Sequence, residues 1–569
     1  MTANISTLGS TRPWWQDALI YQVYIRSFAD SNGDGIGDLD GIRSRLDHIA
    51  SLGVQALWLN PCYPSPQRDH GYDVADYFGI HEEYGDLSTF DALLAEAAQH
   101  DIKILMDLVP SHCSNEHEWF QAALNAAPGS PERARFYFRD GKDGGAQPPN
   151  NWRAAFGGSA WTRVNDDDAD GQWYLGTFTP HQPDFDHTNA DVKQHFVEIF
   201  DFWFDRGVAG FRVDAVAPTG KHPDLPDQPP VGPEVGVLDI TWMNPYTVFR
   251  PEGHDVWRHL RRVVDDYEER HPGRELMMVA EAYAVRRPEL IKEFTQPDQF
   301  HQMFTFDLML SPWEKHSIEL ALRDPFEILE SNGVAPAWTL NNHDIQRIVT
   351  RLGKADAHLP DSWTNNNLAL STADIDLGLG ARRARAMTSL IFALPGSLYL
   401  YQGEELGLRE VLDIPADRRE DPIFHLTEGA EIGRDGCRVP LPWNTDATTS
   451  FGFSTPAADG SVAEPWLPQP ADWGQWDSSM LELYRELGDA REEFAVGQPL
   501  RAEVLDLGDT LVGIRRGDLI VVVNPSDAPV AVDLDHPELS ITQPVFASQA
   551  DEMHTPGVIP ANATVWFAS

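Results

Sequence analysis

Short apolar runs recur along this chain at the spacing of βα units, and that rhythm limits its fold more than any other feature. IYQVYI (20–25), ALWL (56–59) and KILMDLV (103–109) are separated by amphipathic segments such as IRSRLDHIASLG (42–53) and FDALLAEAAQHD (90–101). The second of these segments puts Leu93, Leu94 and Ala97 on one stripe. Apolar runs without polar alternation suit strands covered on both faces, as in a parallel sheet wrapped by helices. Continuing along the chain gives eight such strands, at 20–25, 56–59, 103–108, 210–215, 276–281, 303–307, 337–342 and 397–401. Eight parallel strands close a (β/α)8 TIM barrel, a fold whose chemistry lies at the C-terminal mouth of the strands.

The rhythm breaks twice. Between Pro110 and Pro180 the composition turns to Gly, Pro, Asn, Trp and Asp, with strand-like pieces such as QWYLGTF (172–178). A structureless loop of that length is improbable inside a compact domain, so an inserted small domain over the mouth is expected. From about Leu481, short β runs follow one another across Gly-Asp and Pro-Ser turns without long helices, which predicts a C-terminal antiparallel β-sandwich. The expected division is 1–109 and 181–480 for the barrel, 110–180 for the insert and 481–569 for the sandwich. A Pro-rich loop is expected at 218–240.

The formal charge of -45, from 88 acidic against 43 basic residues, repels nucleic acid and anionic membranes and disfavours anionic substrates. A small neutral oligosaccharide or α-glucoside meets no such barrier. No apolar stretch approaches the roughly 18 residues of a spanning helix, and the N-terminal segment lacks the pattern of a secretory signal. The three cysteines, Cys62, Cys113 and Cys437, are odd in number and widely spaced, which suits a reducing compartment. These features predict a cytoplasmic monomer or homodimer without nucleic-acid or membrane partners.

Three of the apolar runs end in carboxylates: GFRVDAVA in Asp214, LMMVAEAY in Glu281 and AWTLNNHD in Asp344. Arg212, two residues before Asp214, shares its strand face and is expected to hold that carboxylate ionised for nucleophilic attack. Glu281 emerges from apolar MMVA, which favours the raised pKa of a proton donor. Such a pair is the equipment of a retaining glycosidase, whose carboxyls lie about 5–5.5 Å apart, whereas an inverting enzyme needs a wider gap that sequence does not measure. Asp344 is placed to strengthen binding of the charged transition state, with His112 and His343 as donors to ring hydroxyls. Eight aromatics, Tyr63, Tyr72, Trp152, Phe156, Trp161, Phe178, Phe211 and Phe306, crowd segments near the mouth and offer faces to a pyranose ring. No HExxH zinc motif or glycine-rich phosphate loop occurs. The loop DSNGDGIGD begins like an EF-hand, without the closing Glu, and predicts one structural Ca²⁺ or Mg²⁺ on Asp30, Asn32, Asp34, the Ile36 carbonyl and Asp38.

Together, IYQVYIRSFADSNGDGIGDLDGI, DHGYDV, DLVPSHCS, QPDFDH, GFRVDA, VAEAY, NNHD and GRDGCRVPLPW resemble the alpha-amylase superfamily of glycoside hydrolases (family 13), in its alpha-glucosidase and oligo-1,6-glucosidase branch. The resemblance runs from Trp14 to Ser569. It implies that Asp214 is the nucleophile, Glu281 the general acid/base and Asp344 the transition-state stabiliser. Asp69, Tyr72, Asp107, His112, Gln182, Arg212 and His343 would hold the glucosyl unit. Either Arg434 or Arg438 would pair with Asp69 to close the non-reducing end, making the enzyme exo-acting. Relatives also carry a Ca²⁺ or Mg²⁺ in the loop corresponding to 30–38. The chain departs from the common pattern at Ser111 and Cys113, at Phe185 and Asp186, and at His70. Ala215, after the nucleophile, is the type that relatives associate with α-1,4 linkages. The implied activity is that of an α-glucosidase that prefers maltose-like α-1,4 substrates and is also able to transglucosylate. The alternatives are an oligo-1,6-glucosidase, a sucrose hydrolase or isomerase, and a trehalose-forming transglucosylase. A non-catalytic sugar-binding barrel would be expected to have lost at least one of the three acids.

Overall fold

The computed structural model describes residues 12–164, 171–230, 244–355, 374–532, 543–553 and 557–568. Eight parallel strands form a closed barrel: β1 (Leu19–Val23), β2 (Ala56–Leu59), β3 (Lys103–Leu108), β4 (Gly210–Val213), β5 (Met277–Ala280), β6 (Gln302–Thr305), β7 (Ala337–Thr339) and β8 (Ser397–Tyr401). Each strand pairs with its neighbours in chain order, and β1 closes the ring on β8 through registers such as Leu19 with Leu398 and Tyr21 with Leu400. All eight expected strands are present, several of them shorter at the C-terminal end than the sequence suggests. Asp214 and Glu281 therefore stand one residue beyond their strands, and Asp344 lies in the loop after β7.

Successive side chains on a strand point to opposite sides, so each strand contributes to two cores. Ile20, Ala56, Trp58, Leu105, Met277, Val279, Phe304, Ala337 and Tyr399 fill the barrel interior. Their neighbours Leu19, Tyr21, Leu57, Leu59, Ile104, Met106, Phe211, Met278, Trp338 and Leu398 face the surrounding helices. Both parities are buried, which is why these strands read as unbroken apolar runs. Continuing the inward parity to the C-terminal end brings Gln22, Asn60, Asp107, Arg212, Asp214 and Glu281 into the mouth.

The main barrel helices include α1 (Leu87–Gln99), α2 (Ala190–Arg206), α3 (Pro251–Arg270), α4 (Lys315–Asn332), α5 (Leu377–Ala393) and α6 (Ser478–Ala490). Their ends are set by local chemistry. Asp86 caps α1 by accepting from the Thr89 N–H, and α2 stops at Gly207, whose φ of 115° suits glycine. The buried stripe of α2, Val192, Phe196, Ile199, Phe200, Trp203 and Phe204, packs on the barrel. The segment expected as one helix at 42–53 forms two short ones, Leu39–Arg43 and Leu46–Ala50.

Between β3 and β4 lies a three-stranded antiparallel sheet ordered Phe138–Asp140, Gln172–Leu175, Trp161–Arg163, with Tyr137, Trp152, Ala160, Trp161 and Leu175 packed beneath it. The Pro-rich loop 218–240 is described as far as residue 230. At the C-terminal end a five-stranded antiparallel sheet contains Glu503–Leu505, Val512–Arg516, Leu519–Asn524, Ala563–Ala568 and Gln543–Ala547. A two-stranded ribbon, Val530–Ala531 with Val558–Ile559, covers part of one face around Ile520, Val522, Ile559, Val565 and Phe567. The other face, with Ile514, Val521, Val523 and Trp566, joins the main core, and Trp566 Nε1 donates to the Ser389 carbonyl of α5 at 2.9 Å. Barrel helices thus supply the second layer that a symmetrical sandwich would take from a sheet.

The expected Ca²⁺ or Mg²⁺ cage is overturned by the geometry of loop 30–38. Asp30 accepts the N–H groups of Asn32, Gly33 and Gly35 at 3.0, 2.7 and 2.9 Å. Asn32 Oδ1 takes the Asp34 N–H and Asp34 Oδ1 takes the Ile36 N–H, both at 2.9 Å. Asp38 accepts from the N–H groups of Ser31 at 2.9 Å and Gly41 at 2.6 Å. The oxygens expected to converge on a cation are directed at the donors of their own turns, as Asx-type residues do. Among the described residues, no group of three or more His, Cys, Asp or Glu side chains is placed to hold a metal ion. No described helix is long and apolar enough to cross a membrane.

Candidate active site

Arg212, almost wholly buried on β4, organises the floor of the mouth. Its Nη1 donates to Asp107 Oδ1 at 2.8 Å and Asp214 Oδ1 at 2.5 Å, while its Nη2 lies 3.6 Å from Glu281 Oε2. One guanidinium therefore contacts both catalytic candidates, which keeps those carboxyl oxygens within about 9 Å of each other. The Ala215 N–H donates to Glu281 Oε2 at 3.0 Å, a bond made possible by the left-handed turn of the chain at Ala215, φ 46°.

The expectation that Arg212 depresses Asp214 is corrected by burial. Desolvation raises the Asp214 carboxyl above its ordinary value despite the opposing fields of Arg212 and His112. Burial also pushes Asp107 up to about 7 and Glu281 up to about 8, again against Arg212. A single cation shared by three buried acids does not offset desolvation at all of them. Asp344 differs. Burial alone would raise it, but His343, Arg434 and Arg438 hold it well below the usual carboxylate range.

A hydrogen-bonded chain lines the wall opposite. Gln22 Nε2 lies 2.8 Å from His343 Nδ1, which makes that nitrogen the acceptor and leaves the proton on Nε2. His343 Nε2 lies 2.8 Å from the Tyr72 hydroxyl, and the hydroxyl donates to Asp107 Oδ2 at 3.0 Å. The Tyr72 and His343 rings are parallel, 5.3 Å apart. Burial and the nearby guanidiniums push the His343 pKa far down, so the ring stays neutral.

The end of the pocket is closed by charge. Arg434 Nη2 donates to Asp69 Oδ1 at 3.0 Å and its Nη1 donates to Asp344 Oδ1 at 3.1 Å. Asp421, fully buried, grips the same guanidinium through Nε at 2.7 Å and Nη2 at 3.1 Å. Of the two arginines expected near Asp69, Arg434 makes that pair. Arg438 instead donates to Asp344 Oδ1 at 2.9 Å and to the His343 carbonyl at 2.7 Å. Gln182 Nε2 reaches Asp69 Oδ2 at 3.0 Å and lies 3.2 Å from His112 Nε2.

The resulting pocket encloses about 730 Å³ including its open mouth. Asp69, Tyr72, His112, Phe156, Phe178, Asp214, Glu281, His343, Asp344 and Arg434 all line it, whereas Asp107, Gln182, Arg212 and Arg438 lie behind that lining. Of the eight aromatics expected near the mouth, Tyr72, Phe156 and Phe178 reach the pocket. Tyr63, Trp152, Trp161, Phe211 and Phe306 are core residues. Ala155, Tyr283 and Ile423 line the pocket without having been singled out, and Asp421 braces it from behind. Tyr283 carried a signal, since it lies two residues beyond Glu281. Ile423 and Asp421 carried none, because they belong to a short helix, Pro422–Leu426, and its N-cap, which only the fold brings to the mouth.

The family model for the alpha-amylase catalytic domain matches residues 22–496. The chain belongs to the alpha-amylase family. Within glycoside hydrolase family 13 it falls in the alpha-glucosidase and oligo-1,6-glucosidase branch. It is 35% identical over 490 residues to a probable alpha-glucosidase of Rhizobium meliloti (strain 1021), covering 82% of this chain and 80% of the relative. An oligo-1,6-glucosidase of Parageobacillus thermoglucosidasius is 32% identical over 522 residues, covering 85% of this chain and 84% of the relative. The crystal structure of the alpha-glucosyl transfer enzyme XgtA superposes with a TM-score of 0.80 at 30% identity, covering 98% of this chain and all of that one. This alpha-amylase family member is therefore a glycoside hydrolase.

Proposed function

We propose that this glycoside hydrolase is a retaining, exo-acting enzyme on terminal α-linked glucose, with Asp214 as nucleophile, Glu281 as general acid/base and Asp344 as stabiliser of the charged transition state. The observation that carries the reading is the pair of carboxyls flanking Arg212 at the floor of a pocket whose far end is shut by Arg434 and Asp69. Glu281 protonates the glycosidic oxygen while Asp214 attacks the anomeric carbon; the same Glu281 then deprotonates the incoming acceptor, and the α configuration is restored. Asp344, held ionised by its arginines, faces the positive charge that develops on the ring. The segments 110–180 and 481–569 are proposed as the insert and C-terminal domains beside the barrel of 1–109 and 181–480, with the boundary at 481 falling inside α6.

For linkage, the relatives support α-1,6 bonds and glucosyl transfer better than the maltose preference drawn from Ala215. A physical reason weakens the inference from Ala215 as well. A left-handed backbone is costly for a β-branched residue, so the small side chain there answers the chain's own geometry as well as any substrate. Incubating pure protein separately with maltose, isomaltose, sucrose, trehalose and 4-nitrophenyl α-glucoside tests this. Isomaltose is expected to turn over faster than maltose, with longer sugars accumulating beside free glucose. Faster turnover of maltose, with glucose as the sole product, would restore the α-1,4 hydrolase reading.

The raised Glu281 also predicts a pH profile. The donor must be protonated, and with a pKa of about 8 it stays so through neutrality. Activity should therefore fall as pH rises through about 8, whereas a carboxyl near its ordinary value would lose its proton below pH 5. A plot of kcat/KM against pH without a basic limb near 8 would contradict the assignment.

A further inference from the structure

Outside the pocket, in the turn after β8, Glu404 is almost wholly buried. Its Oε1 accepts the Tyr401 N–H, and its Oε2 accepts Asn341 Nδ2 at 2.8 Å and the Tyr484 hydroxyl at 3.1 Å. Three donors converge on this side chain, a setting that fits an acceptor-only carboxylate. Asn341 opens the loop that follows β7, and its Oδ1 takes the Ile348 N–H at 2.7 Å, closing the loop on itself. His343 and Asp344 are carried two and three residues further along. The far side of the loop is held by Glu410 Oε2, which accepts the Arg347 N–H at 2.9 Å. Tyr484 belongs to α6 and also meets Thr388 of α5, hydroxyl to hydroxyl, at 3.2 Å.

We infer that Glu404 is a positioning residue: by holding the Asn341 amide it sets where His343 and Asp344 stand in the pocket, and through Tyr484 it ties that placement to the packing of α6. The inference rests on the proposed role of Asp344. Displacements of about 1 Å at a reacting centre cost on the order of 100-fold in rate, so a brace one contact removed from the pocket has leverage.

The test reverses the polarity of one hydrogen bond. Glu404→Gln can face Asn341 Nδ2 with a second donor, and Asn341→Asp sets two carboxylates opposite each other. Each single variant should lower kcat on 4-nitrophenyl α-glucoside at least about 10-fold with KM within about 3-fold. The double variant Glu404→Gln/Asn341→Asp lets the new amide donate to the new carboxylate, and kcat should return to within about 3-fold of the parent. A purely structural role would lower the melting temperature of the singles while leaving kcat of the folded protein unchanged. Parental kcat in both singles, or a double that is insoluble or no better than the worse single, overturns the inference. Should Asp344→Asn keep parental activity, the functional reading itself falls, a result separable from failure of the brace.

Discussion

Asp214→Ala is expected to abolish turnover, lowering kcat by about 10⁴-fold or more, while the protein folds as before. The fold should survive because Arg212 does not lose its only partner. Asp107 still accepts from Nη1 at 2.8 Å, and the Glu281 carboxyl remains 3.6 Å from Nη2. One carboxylate fewer around a shared guanidinium also relieves like-charge repulsion on Glu281, whose pKa Asp214 helps to raise. The variant should thus have parental circular dichroism and a melting temperature at or above that of the parent. A slow fluorinated glucosyl donor should leave its adduct on residue 214 of the unsubstituted protein, read by intact mass and peptide mapping. Substantial residual turnover by Asp214→Ala, or an adduct elsewhere, would remove Asp214 from the nucleophile role.

Arg434→Ala carries the second large effect, and here stability and specificity should change together. Its guanidinium is the meeting point of Asp69, Asp344 and Asp421, whose side chains are 7%, 20% and 0% exposed. Asp344 retains Arg438 and Asp69 retains Gln182, but Asp421 loses its bidentate partner in a fully buried place. Removing one partner of a buried pair costs about 3–5 kcal/mol, most of it from the charge left behind. The same deletion opens the far end of the pocket. An isomaltooligosaccharide blocked at its non-reducing end, which the parent is expected to refuse, should then be cleaved internally. Arg434→Lys should fall between the two, because a single ammonium does not reproduce a fork that reaches three carboxylates. Unchanged melting together with continued refusal of the blocked substrate would show that the end wall lies elsewhere.

Much of the barrel was legible because each strand answers two cores at once. Leu105 and Met106, or Met278 and Val279, are adjacent in sequence yet belong to opposite sides of the wall. The resulting unbroken apolar runs marked the eight strands. The same parity predicted that Arg212 and Asp214 would touch, and they do. Legibility failed where one local pattern serves two physical ends. Acids spaced two apart among glycines bind cations in some loops and cap backbone N–H groups in others. In loop 30–38 the second use holds, with the turn packed under the chain near residue 454 through the Asp30 N–H on the Phe453 carbonyl at 2.8 Å. It failed again at Asp214, where a neighbouring guanidinium was visible in the sequence but the depth of burial opposing it was not.

The chain's own order of residues determined its strand count, the inward parity of the mouth acids and the helix cap at Asp86, since periodicity and capping depend on neighbours a few residues away. Tertiary structure alone decided that Arg434 and not Arg438 pairs with Asp69, across 365 residues of chain. It also decided that Ile423 reaches the pocket while Asp421 braces it from behind, and that three carboxylates share one arginine. Those outcomes depend on barrel closure and on desolvation summed over every element packed around the mouth, quantities that no local window of sequence contains.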